Sequence, residues 1–234
     1  MIDVSYITAP CPVRADIEEA HTFFWQKLAA PGTWWTGAER VAIGAEVRQA
    51  HHCQLCQERK AALSPTAIQG THDTGGVLPE TAVEMIHRVT TDPGRLSKRW
   101  YDDLLAQGLS DTHYVEALGV VGRTVSVDSF CRGLGLPLHP LPTPVAGEPS
   151  RRRPLEATLD GAWVPMVPNG QANVIRALSL VPAEVHLSIE VLLPIQYMEI
   201  SEVRNLPSDP GRAISRSQIE LLAARVSALN QCFY

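Results

Sequence analysis

The spacing of apolar residues predicts helices along most of this chain, and runs of the alternating pattern that is typical of strands are scarce. The segment DIEEAHTFFWQKL repeats apolar residues at helical spacing after an acidic first turn, which predicts an amphipathic helix over 16–28. A second helix is predicted over 39–50, and it leads directly into His51-His52-Cys53. The fold class that we expect is therefore all-α.

Three further segments continue the helical pattern before residue 135. Each starts near a proline or a capping residue and most end at glycine, as helices commonly do; they are LPETAVEMIHRVTT, RLSKRWYDDLLAQG and SDTHYVEALGVVGRTVSVDSFCRGLG. This gives five helices by Gly135. In the second half of the chain, helices are predicted over 173–180, 182–198 and 215–230.

A proline-rich segment separates the two halves. Prolines recur throughout 136–154, and such a density excludes a helix or a central strand. The segment is therefore expected to be an extended connector that wraps over a surface or joins two modules. We divide the chain into a first helical module (1–135), the connector (136–154) and a second helical module (155–234).

Composition and charge narrow the class of protein. The chain has 234 residues, is 45% hydrophobic and carries a formal net charge of -5, so it can bury a core but lacks a basic surface for nucleic acid. No apolar run reaches the roughly 18 residues of a membrane span. Asp3 interrupts the region where a signal peptide would be apolar. We interpret the protein as cytoplasmic, with no nucleic-acid or membrane partner.

One close pair stands out among the five cysteines, the motif Cys53-Gln54-Leu55-Cys56. An odd number of unevenly spaced cysteines argues against a secreted disulfide framework. A C-x-x-C pair at the start of a helix favours a thiolate and places the second sulfur close enough to form a disulfide. Cys53 and Cys56 are therefore the predicted redox pair.

A proton carrier is needed beside such a pair. Glu46 lies two helical turns before Cys53 on the same face, so it could transfer a proton to His52 or Cys53. The alternative for Glu46 is a solvated glutamate paired with a neighbouring arginine.

The same region could instead bind zinc. A structural zinc needs four ligands, and C-x-x-C usually faces a second pair of Cys or His. The sequence has no second C-x-x-C and no H-x3-H; His72 could supply one more nitrogen, and Cys131 is remote. The prediction from sequence is therefore no metal and no other cofactor, with His72 a turn residue.

A longer pattern links the two halves of the chain. The helix that ends at Cys53 and the helix that ends at Cys232 look like copies of one another. In the second copy Glu220 stands 12 residues before Cys232, after Val167-Pro168-Asn169 and the segment RALSLVP. This arrangement resembles the alkylhydroperoxidase D and carboxymuconolactone decarboxylase superfamily, whose block is E-x11-C-x-x-C-x3-H. Nearly the whole chain looks like a branch of alkylhydroperoxidase-related proteins, some of which carry selenocysteine.

The resemblance implies two helical modules of the carboxymuconolactone decarboxylase type, with the second cut inside its motif. A UGA codon for selenocysteine after Tyr234 would explain the cut, and the gene sequence would test that hypothesis. The first copy departs from the pattern, because Lys60 stands where the family has histidine and Glu39 lies two residues too early.

The implied function is thiol-dependent reduction of small hydroperoxides, or a related disulfide reductase activity, with a dithiol or lipoyl-type reductant. The implied site residues are Cys53, Cys56, Glu46, His52, Glu220 and Cys232. Exposed apolar helix faces in an unfinished module predict a homo-oligomer. Two other interpretations stay open: a non-catalytic helical scaffold, and a decarboxylase or isomerase that acts on a small lactone by acid–base catalysis.

Overall fold

The computed structural model describes residues 3–168, 172–205, 207, 211–230 and 232. The first 135 residues form six α-helices: α1 (Ala15–Ala29), α2 (Gly37–Ala50), α3 (Gln54–Ala61), α4 (Glu80–Thr91), α5 (Lys98–Ala106) and α6 (Asp111–Gly133). The five helices predicted before Gly135 all form, and α3 is the helix that begins at the C-x-x-C pair. The described residues contain no strand, apart from an isolated bridge between Thr158 and Met166, so the all-α prediction is confirmed.

Helices α2, α4 and α6 pack against one another and form the centre of the fold. Their shared core includes Ile43, Val47, Ile86 and Val115, all of which are almost completely buried. Helix α2 starts with a capping box, in which the Thr36 hydroxyl accepts from a backbone N–H and the Glu39 carboxylate accepts from the Thr36 backbone N–H. Glu39 therefore caps a helix in this structure.

The proline-rich segment 136–154 contains no helix and lies along the first half of the chain. The backbone N–H of Val145 donates to the carbonyl of Ala29 at 2.8 Å, and that of Arg151 donates to the carbonyl of Thr33 at 2.8 Å. The two carbonyls belong to the end of α1 and to the turn between α1 and α2, so the segment runs along that turn. The segment thus wraps over a surface, one of the two arrangements expected from its prolines.

Most helices of the second half are short, with α11 the exception. The helical segments are α7 (Asn173–Arg176), α8 (Pro182–Val185), a π-helical segment (His186–Leu192), α9 (Leu193–Gln196), α10 (Ile200–Arg204) and α11 (Arg216–Leu229). The helix predicted over 182–198 is present as three consecutive pieces that run from Pro182 to Gln196. Its π-helical part lies just before Pro194, whose missing N–H removes one helical hydrogen bond.

The division into two modules is not confirmed, because the second half packs into the core of the first. Leu180 and Val181 are fully buried in the core formed by α2, α4 and α6. A buried set of charges joins the same parts: Arg40 of α2 contacts Glu116 of α6 and Glu184 of α8. Removing one partner of such a set would leave a buried charge uncompensated, which is strongly destabilising.

Helix α11 forms where it was predicted but leaves much of its apolar surface exposed. Leu222, Val226 and Leu229 are 58%, 56% and 65% exposed. Ser215 caps its start. None of the described helices is long and apolar enough to cross a membrane.

We predict opposite effects on stability for two glycine substitutions in α6. A Cβ at Gly119 would overlap the Glu184 carboxylate, whereas a Cβ at Gly122 meets nothing within 4 Å. Gly119→Ala should lower the free energy of unfolding by about 1–3 kcal/mol because of overpacking. Gly122→Ala should raise it by up to about 1 kcal/mol, since alanine is the better helix former. Urea denaturation measures both; equal effects would contradict the buried position of Glu184.

Candidate active site

The two cysteines of the C-x-x-C motif lie side by side at the start of α3. Cys53 is the residue just before the helix and Cys56 is in its first turn; their exposed fractions are 0% and 2%. No disulfide joins them. The Asp73 carboxylate accepts from the backbone N–H of Gln54 at 2.9 Å, which caps the helix from the following loop. The loop that follows α3 thus reaches back to the start of the helix, beside the pair.

Two histidines from outside α3 contact the sulfurs. His72, in the loop after α3, places Nδ1 3.4 Å from Cys53 Sγ and 3.5 Å from Cys56 Sγ. His87, on α4, places Nδ1 3.3 Å from Cys56 Sγ. The four ligand-type atoms, two sulfurs and two Nδ1 nitrogens, all lie within 4.8 Å of one another.

The Nε2 of each histidine, on the side of the ring away from the sulfurs, is hydrogen-bonded to a carboxylate. Glu84 accepts from Nε2 of His72 at 2.7 Å, and Glu46 accepts from Nε2 of His87 at 2.9 Å. The other oxygen of Glu46 accepts from the Thr74 hydroxyl at 2.6 Å and the Gly75 backbone N–H at 2.8 Å. Because both Nε2 atoms are occupied in this way, both Nδ1 atoms are turned towards the sulfurs.

Helix α4 supplies both a histidine and a carboxylate because Glu84 and His87 are three residues apart and share one helix face. Glu84 is further fixed by Arg59 of α3, at 2.7 Å, and by the indole N–H of Trp100 of α5, at 2.9 Å. The site around the two sulfurs is therefore built by residues from α2, α3, α4, α5 and the loop at 62–79.

The surroundings shift the pKa values of Cys53 and His72 in opposite directions. Burial raises the pKa of the Cys53 thiol, but the backbone N–H of Cys56 and the His72 side chain outweigh it, so the pKa lies below its ordinary value. Burial lowers the pKa of His72, but its contacts with Cys56, Glu84 and Cys53 outweigh that effect and raise the pKa to about 10. These shifts favour a thiolate beside an imidazolium.

His87 and Glu84 show how burial and contacts compete. Burial is the main reason that the pKa of His87 is lowered, and Glu46 opposes it only in part. Burial raises the pKa of Glu84, but the side chains of His72 and Arg59 outweigh it and lower the pKa to about 2. The two histidines thus differ in protonation, although each has one carboxylate partner.

A cavity of about 930 Å³ opens beside this group. Its wall includes His72, Glu84, Trp100 and Thr74, together with Arg88 of α4. Neither cysteine is among the residues that line the cavity, so the sulfurs lie behind its wall. His72 contacts both sulfurs and also reaches the cavity, which makes it the link between them.

The structure brings together three of the predicted site residues, Cys53, Cys56 and Glu46. His52 is exposed and does not belong to the group of four ligand-type side chains, and the Glu46 carboxylate contacts His87 instead. Glu46 is 2% exposed, so the alternative of a solvated glutamate is wrong. Nothing in the structure tests the catalytic role predicted for His52.

The other two predicted residues belong to the end of the chain. Glu220 lies on α11, where it accepts from the Tyr197 hydroxyl at 2.8 Å and from Arg216 at 3.2 Å. Cys232 is exposed. Neither is in the group around Cys53, so their predicted roles concern the second copy of the motif and stay predictions.

Sequence reasoning missed His87 and Glu84 and treated His72 as a turn residue. Lys60 is exposed, and the imidazoles that contact the sulfurs come from further along the chain. One signal was available: the helix predicted around ETAVEMIHRV carries Glu and His three residues apart, a pattern that puts both on one face. Their distance from Cys53 depends on the tertiary packing of α4 on α2.

Comparisons with protein-family models, with curated proteins and with solved structures find no match to this chain. The resemblance stated from the sequence therefore stays a prediction.

We predict that Glu84→Gln lowers the free energy of unfolding by about 1.5–3 kcal/mol, the usual contribution of hydrogen bonds to a charged group. The substitution keeps the shape of the side chain but removes the charge that faces His72 and Arg59. Glu80→Gln on the same helix is the control, because Glu80 is exposed, and it should change stability by less than about 1 kcal/mol. Urea denaturation monitored by fluorescence would show this; an equal effect of both variants would contradict the role of Glu84.

Proposed function

We propose that this protein reduces small hydroperoxides with Cys53 and Cys56 as its dithiol. The observation that carries the proposal is the chain of contacts from Cys56 Sγ through the His87 imidazole to the Glu46 carboxylate, with a second thiol three residues away. A thiol, a base and a group that orients the base form the arrangement by which enzymes activate sulfur nucleophiles.

The first step uses Cys53 as the nucleophile because its sulfur lies at the start of a helix, where a thiolate is favoured. The thiolate attacks one peroxide oxygen, so that an S–O bond forms and the O–O bond breaks. His72 contacts this sulfur and reaches the cavity, so it is placed to give a proton to the departing alkoxide. The products of this step are a sulfenic acid at Cys53 and an alcohol.

In the second step Cys56 attacks the sulfenic sulfur. Its proton passes to His87, which contacts only this cysteine and is oriented by Glu46. The S–S bond forms as the S–O bond of the sulfenic acid breaks, and the departing hydroxide takes the proton from His87 and leaves as water. The sum is ROOH plus two thiols giving ROH, water and a disulfide, and an external dithiol then returns the pair to its reduced form by exchange.

The position of the thiols limits the substrate. Both sulfurs are buried behind the wall of the cavity, so only a small hydroperoxide can approach them past His72. The cycle also needs a reducing compartment, which supports a cytoplasmic location. The exposed apolar face of α11 supports a homo-oligomer in which that face is covered.

We predict that Cys53→Ser and Cys56→Ser each abolish peroxide turnover by the reduced, metal-free protein in the presence of a dithiol. Each substitution removes one of the two sulfurs that the cycle needs. Cys11→Ser is the matched control, because Cys11 is exposed and is not part of the group, and it should keep full activity. Peroxide consumption measured at several protein concentrations would give the rates.

Turnover that is unchanged in both serine variants would refute the proposal and leave the scaffold interpretation standing. Turnover of a small lactone by the same variants would instead favour the acid–base enzyme. Glu46→Gln adds an independent check: loss of the oriented base should reduce the rate by about 100-fold or more.

A further inference from the structure

We propose that the reduced protein binds one zinc ion through Cys53, Cys56, His72 and His87. These side chains supply two sulfurs and two imidazole nitrogens, the donor set of a Cys2His2 zinc site. This inference is independent of the proposed peroxidase function, since it concerns the reduced chain with no substrate.

The distances between the donor atoms fit a tetrahedral zinc. With Zn–S near 2.3 Å and Zn–N near 2.0–2.1 Å, a sulfur and a nitrogen on one tetrahedron lie about 3.5 Å apart. The three S···N contacts, from His72 to both cysteines and from His87 to Cys56, measure 3.4, 3.5 and 3.3 Å. All four donor atoms lie within 4.8 Å of one another, so a single ion can reach every one of them.

The carboxylates behind the histidines complete the pattern. Histidines that bind a metal usually donate their other N–H to a carboxylate, a carbonyl or water, which fixes the tautomer and the ring orientation. Here Glu84 holds Nε2 of His72 and Glu46 holds Nε2 of His87. Both Nδ1 atoms therefore face the sulfurs, and a bound metal would replace any proton that they carry.

Both imidazoles meet at one sulfur, because Cys56 Sγ contacts His72 as well as His87. A divalent cation satisfies both sulfurs and both nitrogens at once. Its binding releases the protons that the sulfurs and the His72 imidazole hold in its absence.

The location indicates a structural role for the ion. Four protein ligands leave no open position for substrate, as in structural zinc sites. The core around α3 is small: its buried members are Cys53, Leu55 and Cys56, with Ile68 packed against them. Zinc would join α3, the loop at 62–79 and α4 where little apolar surface is buried.

Zinc binding and the disulfide exclude each other, because both use the same sulfur electron pairs. Oxidation of the zinc-bound dithiolate by a hydroperoxide and two protons would give the disulfide, an alcohol, water and free Zn²⁺. The zinc-bound form and the peroxide-reducing form are thus two states of one pair of sulfurs.

The test is the metal content of the full chain, purified with a non-thiol reductant and titrated with zinc or cobalt. We expect about one zinc per chain and, with Co²⁺, the visible bands of tetrahedral thiolate coordination. Cys56→Ala and His87→Ala should abolish both signals, and Glu46→Gln should weaken zinc affinity about 10–100-fold. Cys11→Ala and His186→Ala are the matched controls, since both residues are exposed and lie outside the group, and should bind as the wild type does.

Wild-type protein that holds no zinc and gives no cobalt spectrum would overturn the inference, even if a variant failed to fold. Retained binding in both His72→Ala and His87→Ala would also overturn it, because the ion would then lie elsewhere. The two proposals fail separately: peroxide turnover without zinc binding refutes only the zinc site, and zinc binding without turnover by the metal-free protein refutes only the peroxidase.

Discussion

Two contacts between a carboxylate and an imidazole determine the geometry of this site, Glu84 with His72 and Glu46 with His87. Each of these pairs fixes the plane of one ring and turns its Nδ1 towards the sulfurs. Without them the two rings could rotate, and the C-x-x-C motif would lack fixed partners. The carboxylates are themselves held by several donors, and a buried acceptor that is fully satisfied is also rigid. The chemistry of the sulfurs therefore depends on groups that do not touch them.

Helix α2 connects this site to the rest of the fold. One of its faces carries Glu46 to the site, and its first turn carries Arg40 to the buried carboxylates of Glu116 and Glu184. Because Glu184 belongs to the second half of the chain, α2 is fixed between the site and that half. Charges buried in this way tolerate little displacement, since separating one ion pair leaves an uncompensated charge in an apolar interior. A shift of α2 would thus disturb both the Glu46 contacts at the site and the Arg40 ion pairs.

The helices could be predicted from the sequence because their apolar periodicity and capping residues are local signals. The pairing of Cys53 with Cys56 could be predicted for the same reason, since i and i+3 meet at the start of any helix. His87 could not be paired with Cys56, because 31 residues separate them and their contact depends on how α4 packs on α2. The packing of Leu180 and Val181 into the first core was missed because the prolines before them resemble a domain linker.

The buried position of the sulfurs bears on both proposals. A peroxidase needs a path for its oxidant, and here that path ends at His72, the one member of the group that also lines the cavity. A structural zinc site needs four ligands and shielding from solvent, and the burial of Cys53, Cys56 and His87 supplies that shielding. His72 is therefore the residue on which the two proposed states differ. In the proposed zinc-bound state its Nδ1 lone pair would be occupied and both sulfurs would be closed to oxidants. In the proposed metal-free state the same nitrogen would be available for proton transfer at the cavity wall.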